Sequence, residues 1–238
     1  ETSGIESVHL TTNGLLLSKY IQELERACLS GINISLDTLN PAKFKIITRR
    51  DGLDLVLNSL NKAMKSTIQS IKLNVVAMHD FNDDELMDFV GLTKENDITV
   101  RFIELMPFDS HQIWKTGKFY GADHILADMK NQVSELKPID GSRTEHHIFR
   151  VDDYKGKVAV IPAYSRSLCG ACNRIRITAD GKLLNCLYSQ DEMNLRDAIR
   201  NDVSDENIQS MIQGSFLNKY KDGWAAQQSN GTHRESMT

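Results

Sequence analysis

The sequence predicts an α/β protein built on parallel βα units, followed by a smaller, more β-like piece. Between residues 8 and 107, short β-rich runs alternate with runs whose apolar residues recur at helical spacing. Past Pro107 that rhythm stops. Near the end of the chain, Cys169, Cys172 and Cys186 cluster around a turn signal. Strand–helix alternation at this spacing is the pattern of a parallel sheet or barrel, because joining parallel strands requires a crossover.

Each element follows in order. Val8-His9-Leu10-Thr11-Thr12 is short and β-rich, and Asn13-Gly14 supplies a turn. Leu16, Tyr20, Leu24 and Ala27 continue at helical spacing, with Gly31 as the stop. Residues 32–36 form the next strand, and Leu53, Val56, Leu57, Leu60 and Met64 mark one face of a second helix. Residues 71–78 are again strand-like, and Asp83-Asp84-Glu85 opens a third helix with acids in its first turn. Residues 99–105 give a fourth strand. The less regular stretch 108–156 contains one helix near residues 122–129, and residues 158–162 open a different, β-like piece. The tail 227–238 is polar and Ser-rich, and is expected to be disordered.

Composition narrows the function. The 238 residues weigh 26.9 kDa, enough for one large domain or one domain with an appendage. A net charge of −4 gives no basic field for nucleic acid or a membrane surface, so neither is expected as a partner and an anion site must be local. No apolar run reaches the 18 residues of a membrane span. Glu1-Thr2-Ser3-Gly4 carries neither an initiator Met nor a signal-peptide pattern, so a fragment or processed product is expected. The first visible strand already sits at residue 8, so earlier βα units are expected to be missing.

Three clustered cysteines plus an isolated Cys28 make a poor disulfide framework and a better metal-ligand set in a reducing compartment. Cys28 reads as a structural residue of an amphipathic helix. Between Cys172 and Cys186, Asp180-Gly181 is a two-residue hairpin signal. Pairing across it sets Cys186 opposite Ile175, about 10 Å along the strand from Cys172. Three thiolates can hold an Fe–S cluster with one iron left open. A zinc site would need a fourth ligand, and three buried free thiols remain the plain alternative. Arg174 and Arg176 alternate with Ile175 and Ile177, so both guanidiniums are expected on one strand face. They form either a fork for phosphate oxygens or an ordinary solvated face.

At Cys169-Gly170-Ala171-Cys172-Asn173-Arg174-Ile175-Arg176-Ile177-Thr178-Ala179-Asp180-Gly181-Lys182, ending in Cys186-Leu187, the chain closely resembles a known family. This is the C-terminal cluster motif of molybdenum cofactor biosynthesis protein A, a family of radical S-adenosylmethionine (SAM) enzymes. Leu10-Thr11-Thr12-Asn13-Gly14, Asn33-Ile34-Ser35-Leu36-Asp37-Thr38-Leu39, Ile71-Lys72-Leu73-Asn74 and Arg101-Phe102-Ile103-Glu104-Leu105-Met106-Pro107 resemble its other signature segments, in its order. The likeness runs from about residue 5 to about residue 213, and Met106-Pro107-Phe108-Asp109 looks more like the eukaryotic branch.

The resemblance implies a GTP 3′,8-cyclase, a lyase converting GTP to (8S)-3′,8-cyclo-7,8-dihydroguanosine 5′-triphosphate. It implies a partial (β/α)6 TIM-like radical SAM barrel over residues 1–107, lacking its first units. A C-terminal domain over residues 108–226 would bind the cluster and GTP. By the resemblance, Cys169, Cys172 and Cys186 ligate a [4Fe–4S] cluster whose open iron meets the guanine. Thr11, Lys72, Arg101, Arg174, Ile175 and Arg176 match GTP-contacting positions, and Ser35 and Met106 match SAM-contacting positions. No catalytic residue is assigned. Ser35, Lys72 and Met106 each fall at or just beyond a predicted strand, where α/β sheets bind ligands. Cyclic pyranopterin monophosphate synthase is the implied pathway partner, a homodimer is left open, and the compartment is cytoplasm or mitochondrial matrix.

The departures matter as much. The family's SAM-cleaving cluster needs Cys-x3-Cys-x2-Cys, and none of the four cysteines here is so arranged. The Gly-Gly-Glu-Pro-type segment and an N-terminal substrate-contacting arginine are absent too, and Lys219-Tyr220-Lys221-Asp222-Gly223-Trp224 matches the late Lys-x3-His-Ala-Gly stretch poorly. A catalytically inactive GTP- and Fe–S-binding remnant or scaffold is therefore the alternative expectation.

Overall fold

Parallel strands need crossovers, and the chain supplies them as short amphipathic helices. The structure is a computed structural model describing residues 4–106, 117–133, 135–139, 147–165, 172, 174–187, 192–221 and 225–226. Cys169, Gly170, Ala171, Asn173, the Pro107-Phe108-Asp109 segment, residues 222–224 and the tail 227–238 lie outside them. Its contacts divide the chain into two units, Glu1–Ser165 and Arg166–Thr238.

The first unit is mixed α/β with a mostly parallel sheet. Its strands are β1 (His9–Thr12), β2 (Gly31–Ser35), β3 (Ser70–Ala77), β4 (Thr99–Glu104), β5 (Leu136–Pro138), β6 (His147–Val151) and β7 (Lys157–Ile161). They are ordered β1-β2-β3-β4-β7-β6-β5. The first five in that order run parallel, and β6 and β5 add on antiparallel. The helices are α1 (Leu17–Arg26), α2 (Pro41–Thr48), α3 (Leu53–Met64), α4 (Leu86–Gly91) and α5 (Ala122–Gln132).

Alternation along β3 and β4 separates a fully buried face from a half-buried one. Ile71, Leu73, Val75, Val100 and Phe102 on the buried face join Leu17, Phe44, Val56, Leu60, Phe89 and Ile125 of the helices in one core. Burying a side chain such as Phe102 contributes about 1.5–3 kcal/mol. The opposite face carries Ser70, Lys72, Asn74, Thr99 and Arg101, and turns apolar only at Val76 and Ile103.

Several expectations change. Leu16 and Tyr20 are 56% and 54% exposed, while Leu17 and Ile21 are buried, so α1 is rotated by one residue from its predicted face. Packing against α3 selects that stripe over an equally periodic neighbour. The acidic segment Asp83–Glu85 is a 3₁₀ turn leading into α4. Residues 158–162 do not open a separate piece, because β7 pairs in parallel with β4. By contacts, the first unit runs to Ser165. α2 was missed although Asn40-Pro41 is a start signal: the Asn40 side chain accepts from Ala42 N and Lys43 N, with Pro41 opening the helix.

The second unit contains β8 (Arg176–Ile177), β9 (Lys182–Leu184) and β10 (Glu192–Asn194), an antiparallel sheet ordered β10-β9-β8. α6 (Leu195–Arg200) and α7 (Asp205–Leu217) follow, capped by the side chains of Asn194 and Ser204. β8 is only two residues long, so Arg174 precedes the strand and alternation does not set its direction. Arg176 is half-buried and Arg174 exposed.

Candidate functional site

Register brings the polar face of the first unit together. Thr11 pairs with Asn33, Asn33 with Lys72, Lys72 with Thr99, and Thr99 with Lys157. Two residues further along the strands, Ser35 pairs with Asn74, Asn74 with Arg101, and Arg101 with Ala159. Paired residues of parallel strands share a face, and neighbouring strands lie about 4.8 Å apart. One row of polar side chains therefore crosses five strands, and a second, Ser35, Asn74 and Arg101, crosses three, on the side opposite the helices.

These rows are hydrogen-bonded. The Arg101 Nε donates to Asn74 Oδ1 at 2.8 Å and its Nη2 to Asn33 Oδ1 at 2.9 Å. Asn33 Nδ2 in turn donates to Thr11 Oγ1 at 3.1 Å. The amides orient the guanidinium and bring no negative charge of their own. Lys72 lies third in the eight-residue β3, near its start. The expectation that it sits at a strand's C-terminal end is corrected, whereas Ser35 ends β2 and Met106 follows β4 by two residues. At the start of β3 and β4, a cavity of about 250 Å³ is lined by Gln69, Ser70, Lys72, Asp97, Thr99 and Lys157, with Ile71 and Ile148.

The strand ends beyond Ser35 are held by buried polar groups. Asn82 Nδ2 donates to Asp37 O (2.6 Å) and Val76 O (2.9 Å), and its Oδ1 accepts from Met78 N (2.8 Å). Burial pushes the Asp37 carboxyl above its ordinary range, against the Val76 N–H that donates to it at 2.8 Å. Glu85 accepts from Thr38 Oγ1 (2.7 Å) and Leu39 N (2.5 Å). After β4, the buried Glu104 accepts from Ala122 N, Tyr164 N and Ser165 N, each at 2.8 Å. Among the described residues, His79, Asp80 and Asp83 also place ligand atoms within 4.8 Å of one another. There, Asp83 Oδ2 accepts from Asp80 N at 3.1 Å and meets His79 Nδ1 at 2.8 Å, which closes the turn after β3.

In the second unit, Arg176 pairs with Leu184 and Ile177 with Leu183. Thr178 N donates to Lys182 O, and Gly181 has φ +81°. The loop is therefore three residues, 179–181, with a left-handed glycine that opens a bulge. A Cβ on Gly181 would come within 2.6 Å of Arg196 Cβ, so the position requires glycine on two counts. The longer loop shifts the expected register by one. Extended along the strands, it sets Cys186 opposite Arg174 rather than Ile175, two residues from Cys172. That is about 7 Å along the strand instead of the expected 10 Å.

Cys172 and Cys186 are half-buried free thiols. Burial raises the Cys172 thiol, but the Arg174 backbone N–H and the Lys219 ammonium outweigh it and hold the thiol below its ordinary value. Lys219 Nζ lies 3.6 Å from Cys172 Sγ and also donates to Arg174 O. Next to Cys186, the buried Asn185 Oδ1 has no hydrogen-bond partner among the described residues.

The structure thus gathers Thr11, Lys72, Arg101 and Ser35 on one sheet face, and Cys172, Arg174, Arg176 and Cys186 on one hairpin. Sequence reasoning missed Asn33, Asn74, Thr99, Lys157, Glu104 and Lys219. Polar residues at alternate strand positions were the available signal for the first four. For Glu104 it was an acid inside an apolar strand, and for Lys219 only the poor match to the late Lys-x3-His-Ala-Gly stretch.

A mostly parallel α/β sheet is consistent with the family match of this region: the Radical SAM superfamily model matches residues 2–93. The Molybdenum Cofactor Synthesis C model matches residues 98–224. A GTP 3′,8-cyclase of Chlorobaculum tepidum is 42% identical over 222 residues, covering 93% of this chain and 67% of that protein. Molybdenum cofactor biosynthesis protein 1 is 40% identical over 224 residues in Dictyostelium discoideum and 41% over 214 in Bos taurus. Those matches cover 91% and 89% of this chain, and 35% and 34% of the relatives. The chain belongs to the GTP 3′,8-cyclase family of molybdenum cofactor biosynthesis. It spans about two thirds of the bacterial relative and about a third of the two eukaryotic ones. Overall identity does not separate the branches, so it does not single out the eukaryotic likeness of residues 106–109.

Proposed function

We propose that this chain provides the substrate-binding face and the second cluster of a GTP 3′,8-cyclase, the enzyme that closes GTP into (8S)-3′,8-cyclo-7,8-dihydroguanosine 5′-triphosphate. The observation that carries the reading is the sheet face itself. Thr11, Lys72 and Arg101, named from the resemblance at three separated segments, fall into two adjacent register rows. The first unit would then form part of a (β/α)6 partial barrel whose interior is that face. Ser35 and Met106 would contact SAM at the strand ends.

Cys169, Cys172 and Cys186 would hold a [4Fe–4S] cluster. The two described thiols suit it: both are half-buried and free, and Cys172 is biased toward the thiolate that a metal requires. Such a cluster, held by three thiolates, supplies one open iron to a further ligand. The protein's own groups would bind and orient the nucleotide. On the hairpin of the second unit, Arg174 and Arg176 offer charge-assisted hydrogen bonds to phosphate; on the sheet face of the first, Lys72 offers the same, and Arg101, held by two amides, presents its guanidinium. A positioned nucleotide loses the freedom that slows an intramolecular ring closure. The 238 residues contain no Cys-x3-Cys-x2-Cys triplet, so radical generation is not assigned to them. The product would pass to cyclic pyranopterin monophosphate synthase.

Anaerobic reconstitution with iron counting and GTP titration tests the reading. Wild type is expected to bind about four irons per chain at this site, and Cys186→Ala to lose most of them. Arg174→Ala or Arg176→Ala should weaken GTP roughly ten- to a hundredfold. Stoichiometric zinc without iron would overturn the cluster, and wild-type GTP affinity in both arginine variants would overturn their phosphate role.

A further inference from the structure

We infer that Lys157, paired with Lys72 across Thr99, is a second lysine holding the phosphate chain of the nucleotide substrate, at the start of the parallel strands. The inference rests on the GTP reading above and adds to it a residue that neither the motifs nor the resemblance singled out.

Register is the first argument. Lys72, Thr99 and Lys157 are successive partners on β3, β4 and β7, all half-buried on the polar face. Two strand spacings put the lysine Cα atoms about 10 Å apart, with a hydroxyl between them. Each ammonium sits on a flexible four-carbon stem with three donors, so both can reach one anion lying above Thr99.

Charge is the second. A half-buried ammonium is held more firmly where a counter-charge joins it. Elsewhere in this unit lysines find carboxylates: Lys43 with Asp84 at 2.6 Å, Lys45 with Asp51 at 3.0 Å, Lys137 with Asp152 at 2.7 Å and Lys155 with Glu95 at 3.0 Å. Lys155 is only two residues from Lys157, yet Lys157 makes no ion pair or side-chain hydrogen bond among the described residues.

The cavity is the third. Both lysines line the space of about 250 Å³ at the start of β3 and β4. Among the described lining residues, the exposed Asp97 is the one carboxylate beside the two lysines. Gln69, Ser70 and Thr99 add neutral polar groups, and no aromatic ring is among the described lining residues. That chemistry suits phosphate oxygens and gives a purine no surface to stack on. The volume falls below the roughly 300–1,000 Å³ of a site for a whole ligand, as fits one end of a nucleotide.

The test compares GTP, GMP and guanosine in the full-length, anaerobically reconstituted protein. Lys157→Ala is expected to weaken GTP about tenfold, equivalent to about 1.4 kcal/mol, and to leave guanosine unchanged. Lys157→Arg should keep most of the GTP affinity. Inorganic tripolyphosphate should compete with GTP less well in the alanine variant than in wild type. A merely structural lysine would instead weaken all three ligands alike and lower the thermal midpoint, which overturns the inference. If Lys157→Ala binds GTP like wild type while Lys72→Ala does not, Lys157 is excluded and the GTP reading stands. If wild type binds GTP no better than guanosine, the phosphate reading falls, and Lys157 with it. Should the alanine variant fail to fold, Lys157→Gln keeps the stem without the charge. Selective loss of GTP over guanosine in that variant supports the inference, and unchanged GTP affinity overturns it.

Discussion

The Cys172 thiol is biased toward the thiolate by two neighbours that act against its burial. The Arg174 N–H and the Lys219 ammonium both favour the thiolate, and together they hold the thiol below the ordinary value despite desolvation. The thiolate is the nucleophile and the metal ligand, so a depressed pKa extends its reactivity to lower pH. In cluster-free protein, iodoacetamide labelling of Cys172 should rise with a midpoint below the roughly 8.5 of an unperturbed thiol. Lys219→Met removes the ammonium and should move that midpoint upward. Peptide mapping across a pH series reads both values. An identical midpoint in the two proteins would remove Lys219 as a cause. At Arg101, the neutral amides of Asn33 and Asn74 orient the guanidinium.

Between elements, Glu104 ties together three parts of the chain. It ends β4, caps the first turn of α5 through Ala122 N, and receives Tyr164 N and Ser165 N from the segment that follows β7. A carboxylate offers acceptors on both oxygens, which suits a site where every partner donates. Glu104→Gln presents an N–H₂ to at least one of those donors. With the side chain only 2% exposed, water cannot take up the mismatch. The expected cost is about 2–4 kcal/mol, several degrees in the thermal midpoint for a unit of this size. Calorimetry on wild type and variant checks it, and an unchanged midpoint would show that the clamp carries no stability. The Gly181 loop acts at the same scale, since one additional loop residue changes which side chain faces Cys186.

For the whole molecule, the chain divides into Glu1–Ser165 and Arg166–Thr238, while the family models meet between residues 93 and 98. The two divisions answer different questions. β5, β6 and β7 belong to the second sequence family, yet they complete the sheet begun by the first. No helix among the described residues is long and apolar enough to cross a membrane. Chemistry at this scale depends on the cysteine set. With a single cluster of three cysteines, the 238-residue chain assayed by itself, reduced and reconstituted, is expected to form no 5′-deoxyadenosine from SAM above a cluster-free control. Chromatographic quantification decides it, and robust enzyme-dependent formation would defeat the expectation.

The strand–helix alternation and the cysteine hairpin were legible without any structure, because both are local. A period of two or 3.6 residues is written into neighbouring side chains, and Asp180-Gly181 announces its turn in place. The resemblance then named Thr11, Lys72 and Arg101, but could not show that they share a face. Cross-strand register depends on which apolar faces pack against the helices, a property of residues far apart in sequence. Only the tertiary structure aligned Lys72, Thr99 and Lys157, chose Leu17 and Ile21 over Leu16 and Tyr20 as the buried stripe of α1, and carried β7 back to lie beside β4. In each case the local pattern allowed more than one answer, and burial against distant residues selected among them.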